Sequence, residues 1–92
     1  MSDFEAIEEA CNYYSMMRGF DSDVFIYTKG STATIFAMYA GKCYSFRRCG
    51  SNSWNADQQR LGLIGSVLEY VEATGNEMKR YSWRKDGLPA ST

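Results

Sequence analysis

Residues 24–49 read VFIYTKGSTATIFAMYAGKCYSFRRC, and this stretch decides the fold. β-branched and aromatic residues dominate it, with Gly30 and Gly41 as punctuation. Such side chains suit a pleated, half-buried backbone, whereas glycine admits the positive φ of a tight hairpin turn. The pattern predicts three strands, 24–29, 32–39 and 43–49, joined at Gly30-Ser31 and Gly41-Lys42. Two-residue turns make neighbouring strands antiparallel and also fix their register. One sheet face should then carry Val24, Ile26, Thr28, Ala33, Ile35, Ala37, Tyr39, Tyr44 and Phe46. The other should carry Phe25, Tyr27, Lys29, Thr34, Phe36, Met38, Ser45 and Arg47.

On the N-terminal side, Ser2-x-x-Glu5 has the form of a capping box. Phe4, Ile7, Cys11 and Tyr14 follow at the spacing of one helix face, and Gly19 is expected to end the helix. On the C-terminal side, residues 50–55 have loop composition, and Asn55-x-x-Gln58 offers a second helix start. Leu61, Ile64, Leu68 and Val71 define that helix's core stripe, closed by Gly75-Asn76. The predicted class is α+β: a two-layer sandwich in the order α-β-β-β-α, a three-stranded antiparallel meander with two helices on one face. Residues 1–86 form a single domain, with a disordered tail over 87–92.

The 92 residues carry a formal charge of only −1, but the charges are sorted. Residues 24–56 hold Lys29, Lys42, Arg47 and Arg48 and no acid, whereas residues 1–23 hold six acids against Arg18. An acidic surface and a separate basic one are expected, and only the second suits a polyanion. The chain has no histidine, and its three cysteines, Cys11, Cys43 and Cys49, lack metal-site spacing. Cys11 falls on an apolar helix face without a base to activate it, so a core role is expected rather than a nucleophile. No phosphate-binding glycine loop occurs. The reading is therefore non-enzymatic, with no cofactor, no metal, no small-molecule substrate and no membrane partner. The acidic N-terminus lacks a signal pattern and the cysteine count is odd, which points to the cytoplasm.

Basic residues interleaved with aromatics form the one positive signal, since cations neutralise phosphates and rings stack on bases or fill partner pockets. The candidate contact residues are Lys29, Phe36, Arg47, Arg48, Lys79, Arg80, Tyr81, Trp83, Arg84 and Lys85. Replacing Arg47 and Arg48 with Glu is expected to spare folding and abolish binding. Ile35→Asp or Leu68→Asp is expected to unfold the domain.

The chain as a whole resembles a small phage-encoded anti-CRISPR protein, an inhibitor of the type I-F (Csy or Cascade) crRNA-guided surveillance complex. The resemblance lies in the length, the opening Met1-Ser2-Asp3-Phe4-Glu5-Ala6-Ile7-Glu8-Glu9-Ala10, and the α-β-β-β-α order. It implies a protein, monomeric when free, that docks on the Cas subunits in the bacterial host cytoplasm and blocks hybridisation of target DNA. Whether the crRNA itself is touched stays open. So does the alternative of a small RNA-binding or host-regulatory protein-binding module.

Overall fold

A computed structural model describes residues 1–14, 23–50 and 53–82. Its elements are α1 (Asp3–Tyr13), β1 (Asp23–Lys29), β2 (Thr32–Tyr39), β3 (Lys42–Cys49), β4 (Trp54–Gln58), α2 (Leu63–Thr74) and β5 (Lys79–Ser82). The α+β class and the α-β-β-β-α order of the main elements stand. The predicted meander is the centre of a larger antiparallel sheet with strand order β4-β3-β2-β1-β5.

The register follows the two turns. Ile26 pairs with Ile35 and Ile35 with Phe46, while Tyr27 pairs with Thr34 and Thr34 with Arg47. The second turn is Ala40-Gly41 rather than Gly41-Lys42, because Tyr39 pairs with Lys42. Both central residues have positive φ (51° and 78°), as a type I′ turn requires.

The layering differs from expectation. Helix α1 packs Ala6, Ile7, Ala10 and Cys11 on Val24, Ile26, Ala33, Ile35, Ala37, Phe46 and Trp54. Helix α2 packs Leu63, Val67, Tyr70 and Val71 on Phe25, Phe36, Met38 and Cys43. Alternation puts these two sets on opposite faces of the sheet, so the domain is helix–sheet–helix and not two helices on one side. The reason lies in the second face: Phe25, Phe36 and Met38 form an apolar surface that is stabilised by removal from water under α2.

Two strands replace predicted irregular structure. Residues 54–58 pair with β3 instead of starting a helix, and α2 begins at Leu63 behind the N-cap Gly62, which has no side chain to cap it. Lys79–Ser82 pairs with β1. Helix α1 starts with the predicted capping box: Glu5 N–H donates to Ser2 Oγ (3.2 Å) and Ser2 N–H donates to Glu5 Oε1 (3.0 Å). The helix ends at Tyr13, with Tyr14 already extended (φ −121°, ψ 105°), and so stops before the expected Gly19, which itself lies outside the described residues, as does the tail over 87–92. Among the described residues no helix is long and apolar enough to cross a membrane.

Candidate functional site

Helix α2 covers only part of its face. Its residues reach the row Phe25–Phe36–Ser45 and the neighbouring Met38 and Cys43. The next row, Tyr27–Thr34–Arg47–Asn55, runs across four strands toward the β1–β2 turn and carries exposed Arg47 and Asn55. Lys29 ends β1 on this same face, one pleat further out. The strand spacing puts Lys29 and Arg47 roughly 12 Å apart at the backbone, with Thr34 and Thr32 between them. Tyr27 stands at the boundary of the covered zone, its ring centroid 6.4 Å from that of Tyr70 on α2. Neither Lys29 nor Arg47 has an ion-pair partner among the described residues. Asp57, one pleat from Asn55, marks the β4 edge of the patch.

The other proposed contacts are committed elsewhere. Phe36 is 2% exposed and lies beneath α2. Arg48 is buried on the opposite face, so Arg47 and Arg48 do not form one patch; adjacent strand residues point apart. The Arg48 Nε–H donates to Glu9 Oε1 at 2.6 Å, and its guanidinium also donates to the Ser31 carbonyl. Trp54 Nε1–H donates to the same Glu9 oxygen at 2.9 Å. The Trp54 hydrogen bond, and then the Arg48 contacts, hold the Glu9 carboxyl below the usual carboxylate range. Arg80 pairs with Asp23 (Nε to Oδ2, 2.7 Å), and Lys79 Nζ lies 3.6 Å from Asp3 Oδ2. Trp83, Arg84 and Lys85 lie outside the described residues.

Tyr81 belongs to the fold. Its ring packs on Phe4 at 5.4 Å, and its hydroxyl donates to Asp3 Oδ2 at 2.6 Å. Thr28 Oγ1–H donates to the other Asp3 oxygen at 2.8 Å. Burial opposes ionisation of Asp3, but the hydroxyls of Tyr81 and Thr28 and the charge of Lys79 outweigh it and lower the pKa. A carboxyl depressed in the folded state contributes stability that is complete above its unfolded pKa and lost as pH falls through its folded one. Tyr81→Phe should therefore cost about 1–2 kcal/mol at neutral pH, and its gap from wild type should narrow below about pH 4. Urea unfolding at both pH values checks this, and a gap that stays constant would contradict it.

Of the features absent from the sequence reading, Asn55 was hidden in an apparent loop. The triad of Glu9, Arg48 and Trp54 had no local signal, because Glu9 is 39 residues from Arg48 and 45 from Trp54 in sequence. Cys11 and Cys43 are buried and Cys49 is exposed. Burial pushes the Cys43 thiol pKa up, partly offset by a hydrogen bond with Ser66. Among the described residues no three His, Cys, Asp or Glu side chains gather as a metal site would need. The chain matches no protein-family model, no curated protein and no solved structure.

Proposed function

We propose that this protein is a non-enzymatic, phage-encoded inhibitor that docks on a type I-F crRNA-guided surveillance complex in the bacterial host cytoplasm. One observation carries the reading: Lys29 and Arg47 stand uncommitted beside Tyr27 on the part of the sheet that α2 leaves open. The acidic α1 surface, with exposed Glu5 and Glu8, is on the far side of the sheet. A partner presenting both signs of charge, such as protein subunits around an RNA, complements this distribution better than a uniform polyanion does.

Of the cations in the expected patch, Arg48 is buried against Glu9, while Lys79 and Arg80 are largely exposed and lie against Asp3 and Asp23. Among the described residues of that patch only Lys29 and Arg47 are without an ion pair, and so few cations release few counterions, which disfavours tight binding of bare RNA there. Inhibition is by occlusion: hybridisation needs an open, positively charged channel and an exposed guide, and a rigid domain lodged there blocks both. Purified protein mixed with the type I-F complex should co-elute with it and abolish its binding of target DNA. Separate elution with DNA binding intact would remove the proposal. Ribonuclease-sensitive binding to bare single-stranded RNA would favour the alternative of an RNA-binding module.

A further inference from the structure

Helix α2 is apolar on two opposite sides. Leu63, Ser66, Val67 and Tyr70 turn toward the sheet. At about 100° per residue, Gly65, Leu68 and Glu72 turn away from it, with Ile64 on one flank of that outer side and Glu69 on the other. Ile64 and Leu68 are 58% and 62% exposed, and Leu61 continues the stripe at 37%. Two large aliphatic side chains left this exposed on one helix form a patch that another surface can cover. Among the described residues nothing covers the outer side of α2.

We infer that this outer stripe packs antiparallel against α2 of a second copy of the chain, about a two-fold axis passing near Gly65 and Ser66. A two-fold contact requires a patch complementary to itself, and this one is. Antiparallel alignment sets Ile64 against the partner's Leu68, and Gly65 contributes no side chain to hold the helices apart. The charges complete the match. Helix α2 has no side-chain cap, no acid in its first turn and no base in its last. Its Glu72 instead sits near its own negative C-terminal end, where an acid is unfavourable. Across the axis, Glu72 meets the partner's Arg60 and the free N–H groups that open the partner's helix. Arg60 is otherwise engaged only by a fully solvated ion pair with Glu69 at 3.6 Å, an interaction of little weight.

The helix is only about 18 Å long, so the pair buries less than about 1,200 Å² and belongs to the weak, concentration-dependent class of interfaces. This surface is distinct from Lys29 and Arg47, and the two readings stand or fall separately. Against the expectation of a free monomer, it is the solution mass that decides.

Sedimentation equilibrium from micromolar to millimolar protein should show the mass rising from 10.4 kDa toward twice that value. Ile64→Glu and Leu68→Glu should each keep the far-ultraviolet circular dichroism of the wild type and weaken self-association at least about tenfold. Glu72→Arg should weaken it as well, and adding Arg60→Glu to the same chain should restore it. A mass of 10.4 kDa across the whole range would overturn the inference. A dimer indifferent to both Ile64→Glu and Leu68→Glu would overturn it equally.

Discussion

Arg48→Glu should leave the chain largely unfolded, even though it lies one residue from a position that tolerates the same change. Arg48 is 8% exposed, and its guanidinium is the counter-charge to Glu9 and a donor to the β1–β2 turn at Ser31. Removing one partner of a buried ion pair costs about 3–5 kcal/mol, because the other charge is stranded. Inserting a carboxylate adds like-charge repulsion against Glu9. A domain of this length holds roughly 5–14 kcal/mol in all, so a large share of its stability is at stake. Glu9→Ala should cost less, about 2–3 kcal/mol, because the Glu9 side chain is 34% exposed and water partly screens the loss. Glu9→Gln, which keeps an acceptor oxygen for Trp54 and Arg48, should cost roughly 1 kcal/mol. Urea unfolding ranks the three, and a folded, wild-type-like Arg48→Glu protein would contradict the buried pairing. The Arg47 and Arg48 double reversal suggested by the sequence would therefore report on folding and not on binding.

Ile35→Asp should unfold the domain and Leu68→Asp should not. Ile35 is fully buried at the centre of the sheet, between Ile26 and Phe46 and under α1. An unpaired carboxylate there has no counter-charge and no water, a penalty beyond what a small domain withstands. Leu68 faces away from the sheet, and polar substitution at such a site changes stability by about 0.5 kcal/mol or less. Circular dichroism melts separate the two outcomes; a loss of structure in Leu68→Asp would mean that the outer side of α2 is core after all.

The Leu68 reversal shows where sequence reading stops. Residues 61–71 contain two apolar stripes, Leu61, Ile64 and Leu68 on one side and Leu63, Val67, Tyr70 and Val71 on the other. Periodicity alone cannot say which meets the sheet; in the structure Leu63, Val67, Tyr70 and Val71 do, and Leu61, Ile64 and Leu68 are exposed. The strand was illegible because Trp54-Asn55-Ala56-Asp57-Gln58 has no β-branched residue. It is held by its neighbours, through Trp54 on Glu9 and the Tyr14 hydroxyl on the Trp54 carbonyl. The central meander was legible for the opposite reason: its register follows from two local turns. Charge sorting along the chain was also legible, but the partners of the cations were not. Arg48 finds Glu9 across 39 positions and Arg80 finds Asp23 across 57, and both encounters depend on tertiary structure. Among the described residues, what remains of the basic signal on the open part of the sheet is Lys29 and Arg47, where side-chain alternation and an incomplete helical cover coincide.

Binding of a Lys29→Glu, Arg47→Glu double variant to the type I-F surveillance complex probes this surface alone, since both residues are exposed and outside the core. The variant should melt as the wild type does and bind about 100-fold more weakly or worse, two reversals at roughly 1.4 kcal/mol each. A correctly folded variant that still binds the complex and blocks target DNA at wild-type strength would show that the open half of the sheet is not the docking surface.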